Sequence, residues 1–394
     1  MSHGSETVEH VDAVVVGSGF GGSVSAFRLA GAGRSVVVLE RGQAYPPGSF
    51  ARTPHEMSRA FWEPKDDLYG LFDIRSFRKL ESIVSSGLGG GSLIYANVLL
   101  RKDERWFVHD SPLPGGGYEN WPVGRGDLDP HYDAVEAMLR PTPNPYPDLP
   151  KARALHDAAR KLGLEVLSPP LAVAFAPSPG ADAAPKQVIP LADYGNLHGL
   201  TRLTCRLCGE CDIGCNEGSK NSLDHTYLSA AVAHGAEIRT LAEARGIVPL
   251  EGGGYEVRYL QYGADPDDGG RRPATEAVIS CDDLVLGAGT FGTSSLLLRN
   301  RLSLPALGRA LGTRFSGRHG LDKLPPAPVQ NGSLHQGLHD DAVPHRLRPQ
   351  RGRNGRHSGE RRAPRPGSRR TRAPPLLRVR LRRQLAPHDQ ARES

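Results

Sequence analysis

A glycine-rich turn between two apolar segments constrains this chain more than any other feature. The turn follows the run Val14–Val16 with the spacing Gly-x-Gly-x-x-Gly, formed by Gly17, Gly19 and Gly22. In such a turn the first glycine permits the sharp bend, the second lets the backbone approach a pyrophosphate, and the third lets the helix pack close to the strand. A second apolar run ends at Glu40, whose carboxylate can accept hydrogen bonds from ribose hydroxyls. Residues 11–42 are therefore predicted to form a dinucleotide-binding βαβ unit.

Two later segments also place glycines beside apolar sequence. The run Gly89-Gly90-Gly91 precedes residues 93–100, which are apolar and predicted to form a strand, and such glycines let backbone lie flat against a ligand or another strand. A flexible linker is the alternative. Farther on, Asp283–Leu286 leads into Gly287-Ala288-Gly289 and a leucine-rich helix. This second strand–turn–helix is either another phosphate cradle or a tightly packed corner.

The charge of the chain is divided unevenly. Of its 394 residues, those up to Gly317 carry a net charge of −6, whereas those after it carry +12 from 17 arginines, one lysine and six acidic residues. The basic part has no aromatic residue and no sustained hydrophobic period, so residues 318–394 are predicted to be a disordered tail. We interpret the change as a shift of reading frame. A nucleic-acid-binding tail is the alternative, and the lack of aromatic residues argues against specific binding of single strands.

The apolar segments of the sequence are too short to indicate a membrane-spanning helix or a secretory leader. None approaches the roughly 20 apolar residues of a membrane-spanning helix. Glu6 and Glu9 precede the first apolar run in place of lysine or arginine, so no secretory leader is predicted and residues 1–10 are expected to be a flexible leader. The five cysteines are not spaced as a disulfide framework, which favours a cytoplasmic protein.

Four cysteines crowd into one short segment, at Cys205, Cys208, Cys211 and Cys215. This is the spacing of a bacterial ferredoxin loop, in which thiolates on short stems converge on a metal centre. Asn216 stands where such loops usually have proline, and no second cysteine group is present. An iron–sulfur cluster, a structural zinc ion and a metal-free thiol loop all remain open. Arg206 and Lys220 are expected to balance part of the thiolate charge.

Four segments, taken in order, resemble the glucose–methanol–choline (GMC) oxidoreductases, and most of all their bacterial cholesterol-oxidase-type branch. They are the first glycine turn with Glu40, the run Gly89–Ser92, the pair Trp121-Pro122, and the turn Gly287–Gly292. The resemblance covers about residues 11–317. It implies an α/β fold, in which an FAD-binding Rossmann-type domain has a mostly parallel sheet with helices on both faces. An incomplete substrate region would be inserted into this domain, and the basic tail would follow it.

The resemblance also implies a flavoprotein that oxidises the CH–OH group of a small alcohol, with sterols favoured, and passes electrons to oxygen or a carrier. FAD would lie with its pyrophosphate on the first turn and its flavin end beside the second glycine run. The cofactor-binding residues that follow are Gly17, Gly19, Phe20, Gly22, Glu40, Gly90, Gly91, Ser92, Asn97, Ala244, Gly287 and Gly289.

The family's histidine base and closing FAD segment belong to the C-terminal part of the chain. Neither is recognisable after Gly317, where the histidines stand in low-complexity sequence. No catalytic residue is therefore predicted, and this chain is expected to bind FAD without oxidising an alcohol. A non-catalytic FAD-binding fragment is the alternative reading of its function.

Overall fold

The computed structural model describes residues 8–78, 81–107, 120–264 and 271–313, together with the pair Val343–Pro344. Strands account for much of the described chain. They are β1 (Glu9–Val16), β2 (Val36–Leu39), β3 (Trp62–Glu63), β4 (Leu68–Tyr69), β5 (Phe72–Ser76), β6 (Glu81–Ser85), β7 (Val166–Leu167), β8 (Val188–Ile189), β9 (Arg202–Leu203), β10 (Glu237–Arg239), β11 (Ala242–Pro249), β12 (Tyr255–Ala264), β13 (Arg271–Leu286) and β14 (Val343–Pro344).

Helices are fewer and mostly short. They are α1 (Phe20–Gly31), α2 (Pro54–Ser58), α3 (Arg125–Leu139), α4 (Pro150–Lys161), α5 (Ser229–Ala233) and α6 (Gly289–Arg299). Single 3-10 turns lie at Pro64–Asp66, Gly90–Leu93, Glu104–Phe107 and Cys211–Ile213, and Asp224–Leu228 is a π-helical turn that leads into α5. None of the helices in the described ranges is long and apolar enough to cross a bilayer.

The largest sheet has six strands in the order β10-β2-β1-β13-β12-β11. The first four are parallel to one another, with Ala13 opposite Val36 and Asp283 in the register. The last two add an antiparallel meander, so the sheet is mixed and mostly parallel. The predicted α/β class and mostly parallel sheet are confirmed.

Both faces of the parallel strands are buried, which explains why their sequences are continuous valine runs instead of alternating ones. Val14 and Val37 face one core cluster together with Leu296 of α6. Val15 and Val38 face the other, together with alanines of α1. Helices therefore cover both faces of the sheet, as the sequence predicted.

The long connection between β2 and β10 forms its own packing clusters. One gathers Leu139 of α3 with Tyr227 of the π-helical turn and with Leu223, which precedes that turn. A second gathers apolar side chains around Tyr45 and Phe50. The pair β14 is antiparallel to β7.

Two expectations differ from the structure. Residues 93–100 do not form the predicted strand: a 3-10 turn ends at Leu93, and Lys220 binds the carbonyls of Leu93 and Tyr95 that a sheet partner would need. β1 begins at Glu9, inside the expected leader. Apart from Val343–Pro344, the predicted tail 318–394 lies outside the described residues, as does its boundary at Gly317.

Candidate functional site

The turn after β1 is built by glycines that touch one another. Gly17 has a φ of +92°, a backbone conformation that favours glycine. A Cβ on Gly22 would overlap the Gly17 carbonyl oxygen, so α1 can start this close to the strand only without a side chain there. The predicted roles of Gly17 in bending and Gly22 in close packing both agree with this geometry.

The second glycine turn packs on the first. A Cβ on Gly287 would lie 2.8 Å from the backbone nitrogen and Cα of Gly22, and one on Gly17 would lie 2.7 Å from the Gly287 carbonyl oxygen. Of the two alternatives for this turn, the tightly packed corner therefore accounts for Gly287. Gly289 has a φ of +71° and open space around its Cβ position, so a ligand-facing role remains a prediction for that residue.

The run of three glycines lies on the first turn as well. A Cβ on Gly90 would come within 2.8 Å of the Gly19 Cα, and the backbone N–H of Gly89 donates to the Ser18 hydroxyl at 3.0 Å. Three glycine-rich segments, separated by some 70 and 270 residues in sequence, thus meet at the carboxyl ends of β1 and β13. This is where ligands bind in open parallel sheets.

Where the three segments meet, some backbone faces open space. Gly19, Gly21 and Gly91 have no atom within 4 Å of their Cβ positions. The first turn of α1 has no side-chain cap and no acidic residue, so its N–H groups and the positive end of the helix dipole are left for an external anion. These features fit the pyrophosphate of a dinucleotide.

Glu40 lies beside the first turn, at the end of β2, and is almost fully buried. Its Oε2 accepts hydrogen bonds from the Ser18 backbone N–H at 3.0 Å and the Ser18 hydroxyl at 2.5 Å, and its Oε1 accepts one from Gly42 N–H at 2.8 Å. Burial raises the pKa of the carboxyl, while these hydrogen bonds lower it. Oε1 retains capacity to accept a ribose hydroxyl.

The side-chain amide of Asn97 gives the most direct indication that a polar group binds at this site. Its side chain is fully buried, and neither Oδ1 nor Nδ2 has a hydrogen-bond partner. Its φ of +67° is unusual for a residue other than glycine. Buried amides are normally paired, because an unpaired one costs about 1–3 kcal/mol. A bound polar group beside this segment would satisfy it, so the residue fits the predicted cofactor site.

Three other predicted cofactor-binding residues are placed by contacts within the protein. The Ser92 hydroxyl donates to the Gly89 carbonyl at 2.8 Å and accepts from Leu223 N–H at 3.1 Å, so it fixes the glycine run. Phe20 packs edge-on against Tyr95. Ala244 lies on β11, two residues beyond Ala242, whose N–H donates to the Glu40 carbonyl at 2.8 Å. Direct contact of these residues with a cofactor remains a prediction.

Lys220 lies near Cys211 and Cys215, as the expected charge balance requires, and it also has a structural role. It is buried, and its Nζ donates to the carbonyl oxygens of Leu93, Tyr95 and Cys211 at 3.1, 3.0 and 3.0 Å. Burial lowers the pKa of this ammonium group, against the opposing effect of nearby Cys211 and Cys215. Its hydrogen bonds go to backbone, so it ties the glycine run to the cysteine loop. A single lysine gives no sequence signal for such a tie.

Protein contacts also organise the cysteine loop. Arg52 donates to the Glu210 carboxylate at 2.8 Å and to the Gly214 carbonyl at 2.8 Å. Asn216 exchanges two hydrogen bonds with the backbone of Phe50, at 2.9 and 3.0 Å. Asn216, which departs from the ferredoxin pattern, is therefore a structural contact of this fold.

The four cysteines are free, and burial raises the pKa of Cys205 to about 12. In the part of the chain that the structure describes, one set of three His, Cys, Asp or Glu residues has its ligand atoms all within 4.8 Å of one another. That set is His198, Asp224 and His225, and it includes no cysteine. Three cysteine sulfurs are therefore not placed as ligands of a single metal ion, a spacing that does not test a four-iron cluster, and metal binding by the cysteines stays a prediction.

The histidine–aspartate set is a buried hydrogen-bonded group. His198 Nε2 lies 2.8 Å from Asp224 Oδ2, and His225 Nε2 lies 3.8 Å from the same atom. Burial raises the pKa of Asp224, but His225 and His198 more than offset this, so the pKa lies well below its usual range. The positive charges of Lys220 and Arg202 act on this group too, and they oppose a further cation there.

Comparison with known proteins agrees with this geometry. Residues 202–314 match the family model "GMC oxidoreductase", and residues 15–54 match "NAD(P)-binding Rossmann-like domain". The chain is 34% identical over 304 residues to a cholesterol oxidase of Mycobacterium tuberculosis, covering 76% of this chain and 50% of that protein. The chain belongs to the GMC oxidoreductase family, on its cholesterol-oxidase-like branch.

Two further relatives extend the comparison. A cholesterol oxidase of Acinetobacter baumannii is 32% identical over 311 residues, which are 77% of this chain and 53% of that protein. A long-chain-alcohol oxidase of Arabidopsis thaliana is 27% identical over 305 residues, which are 76% and 35% of the respective chains. The chain thus spans about half the length of the cholesterol oxidases that it matches.

Proposed function

We propose that this chain binds FAD and belongs to an oxidoreductase that oxidises the CH–OH group of an apolar alcohol, with a sterol as the favoured substrate. The observation that carries the proposal is the meeting of three glycine-rich segments beside the unpartnered amide of Asn97. The names of the relatives, cholesterol oxidase and long-chain-alcohol oxidase, support the substrate class. Oxygen or a separate electron carrier would be the electron acceptor.

Each part of the site has a role in this proposal. The open N–H groups at the start of α1 bind the pyrophosphate, and Glu40 orients a ribose through its free acceptor capacity. Asn97 and Gly91 lie in the segment that passes the flavin end. Bound FAD supplies the hydride acceptor. The group that removes the hydroxyl proton is not assigned to any described residue.

The first experiment identifies the cofactor. Protein purified from flavin-rich cells is denatured, and the released cofactor is separated by chromatography and identified by its spectrum. FAD in near-stoichiometric amount supports the proposal. NAD(P) in its place, or no nucleotide after reconstitution with FAD, would overturn it.

The second experiment tests the substrate class. The FAD-loaded protein is mixed anaerobically with cholesterol or with 1-hexadecanol, and bleaching of the flavin band is followed. Reduction by either alcohol supports the oxidoreductase proposal and would contradict the expectation, drawn from the sequence, that this chain binds FAD without oxidising an alcohol. Retention of oxidised FAD with both would favour the alternative, a non-catalytic FAD-binding protein.

Asn97 offers a sharper test of where the cofactor lies. Asn97→Gly keeps the positive φ accessible and removes an amide that has no protein partner, so stability of the FAD-free protein should change little. The affinity for FAD should fall about tenfold, the effect of one lost hydrogen bond. Equal FAD affinities of the two proteins would place the flavin end elsewhere.

Two further parts of the proposal concern the cellular compartment of the protein and the content of the cysteine loop. The free cysteines favour a reducing compartment, and we propose the cytoplasm. The spacing of the four cysteines leaves three options, an iron–sulfur cluster, a zinc ion and a bare thiol loop. Iron, sulfide and zinc contents of anaerobically purified protein distinguish the three.

A further inference from the structure

A cavity of about 530 Å³ opens in the long connection between β2 and β10. Its volume lies in the range of small-molecule sites. Most of its wall is apolar, and prolines and aliphatic side chains line it at Pro143, Pro145, Pro177, Pro179, Val188 and Leu191. This wall suits a hydrocarbon body.

The charged side chains of the cavity all have one sign. Among the described residues that line it, the charged ones are Arg140 and Arg202, and there is no aspartate, glutamate or lysine. Both guanidinium groups lower the pKa of Tyr194, which burial raises, so both act on the same part of the wall. The cavity therefore has one positive, polar end.

Arg202 is held rigidly at this end. Its Nε donates to the Gly218 carbonyl at 2.8 Å, and its Nη2 donates to the Lys220 carbonyl at 3.0 Å and to Asn221 Oδ1 at 2.7 Å. These partners are neutral, and burial lowers the pKa of the guanidinium group. The group thus keeps a partly desolvated positive charge beside the cavity.

Arg140 and His225 complete the polar end. Arg140 follows α3 with a φ of +46°, and no hydrogen bond or ion pair of its side chain occurs within the described ranges. The His225 side chain is 4% exposed, and its Nδ1 has no hydrogen-bond partner. Burial lowers the pKa of His225 to about 4, so the ring is neutral near pH 7. The residues that line the cavity thus include two guanidinium groups, of which that of Arg140 is exposed, and one buried histidine whose Nδ1 has no hydrogen-bond partner.

One acid lies near this end without lining the cavity. Asp224 Oδ2 lies 2.8 Å from His198 Nε2 and 3.8 Å from His225 Nε2, and its carboxylate offsets part of the positive charge of Arg202. A cationic ligand would be repelled by two arginines. A neutral ligand would leave the positive charge of the two guanidinium groups without a counter-anion in the cavity. A carboxylate would pair with the guanidinium geometry.

We propose that this cavity binds an amphipathic organic acid, with its carboxylate at Arg140 and Arg202 and its hydrocarbon part along the proline-rich wall. The site is distinct from the glycine turns. Its test measures binding alone, so it stands or falls separately from the proposed oxidoreductase function.

The experiment compares three probes with the same alkyl chain: dodecanoate, 1-dodecanol and dodecyltrimethylammonium. Each is titrated into the full chain below its micellar concentration and followed by calorimetry. Dodecanoate should bind with one-to-one stoichiometry and at least about tenfold more tightly than the other two, the value of one charge-assisted hydrogen bond. Equal affinity for the acid and the alcohol would overturn the proposal.

Variants locate the site. Arg140→Gln should weaken dodecanoate binding about tenfold and leave dodecanol binding unchanged. Val188→Asp, which adds a negative charge at a position 61% exposed, should also weaken it. Arg160→Gln is the control, because Arg160 lies on α4 with its side chain 78% exposed. Unchanged dodecanoate affinity in both cavity variants, or equal weakening in the control, would contradict the site.

The Gly19→Val protein separates this proposal from the cofactor proposal. Its substitution lies in the nucleotide turn, outside the cavity wall. It should bind dodecanoate as the unchanged protein does. Loss of dodecanoate binding in this variant would show that the acid occupies the nucleotide site, and the cavity proposal would fail.

Discussion

At the scale of single residues, the glycines of the first turn serve two purposes that substitutions can separate. Gly22 is in contact with the backbone of Gly17, whereas Gly19 borders open space. The same pattern of three glycines in the sequence thus combines one residue needed for the fold with another that we propose faces a ligand.

We expect Gly19→Val to abolish FAD binding while the protein still folds, because the added side chain occupies the space that the pyrophosphate would take. Gly22→Ala should lower the free energy of unfolding by about 3 kcal/mol or more, because its Cβ overlaps the Gly17 carbonyl. Flavin content and thermal melts check both. A Gly19→Val protein that retains FAD would contradict the assignment.

His225 should make stability depend on pH. Its folded-state pKa of about 4 lies below the ordinary histidine value of 6.5, so the unfolded chain binds the proton more strongly. Stability is present above pH 6.5 and is lost as the pH falls toward 4. The free energy of unfolding should drop by about 2 kcal/mol between pH 7 and pH 5.

Urea denaturation at the two pH values measures this drop. His225→Gln should remove most of it, whereas His131→Gln, at an exposed position on α3, should not. Equal drops in all three proteins would show that another group is responsible.

At the scale of elements, the glycine run and the cysteine loop are one unit joined by Lys220. Three backbone carbonyls converge on its Nζ, and its ammonium also lies 5.0 Å from the centre of the Tyr95 ring. Arg52 and Asn216 fasten the same loop to the segment around Phe50. The loop therefore has a scaffold of its own, apart from any metal.

We expect Lys220→Met to lower the free energy of unfolding by about 3 kcal/mol, because three carbonyls lose a charged donor in the interior. FAD affinity should fall with it, since the glycine run loosens. Lys151→Met, on the exposed side of α4, is the control. Denaturation and flavin titration measure both effects, and an unchanged FAD affinity would separate Lys220 from the cofactor site.

The elements that local sequence rules could predict are those stabilised by near neighbours. The βαβ unit, for example, follows from valine runs and the turn at Gly17. The segment 93–100 was predicted wrongly, because a lysine more than 120 residues later takes its carbonyls. Sequence pattern likewise could not show that Gly90 rests on Gly19, or that His198 and Asp224 pair.

At the scale of the whole molecule, the candidate site depends on residues from both ends of the described chain. Gly287→Ala should weaken FAD binding at least about tenfold and lower the free energy of unfolding by about 2 kcal/mol, because its Cβ would press on Gly22. Gly252→Ala has open space and is the matched control. Flavin titration of both proteins is the measurement, and normal FAD affinity in Gly287→Ala would refute the coupling of the two turns.

The pairing of β1 with β13 has a consequence for synthesis of the protein. β1 has one neighbour, β2, within 30 residues, but its other neighbour ends at Leu286. At a translation rate of about 5–20 residues per second, this edge of β1 waits roughly 15–55 s for its partner. Until then a valine-rich strand presents unpaired backbone groups, the kind of edge that recruits other chains. Nascent chains should therefore need a chaperone over this interval, and cofactor binding can begin only when it ends.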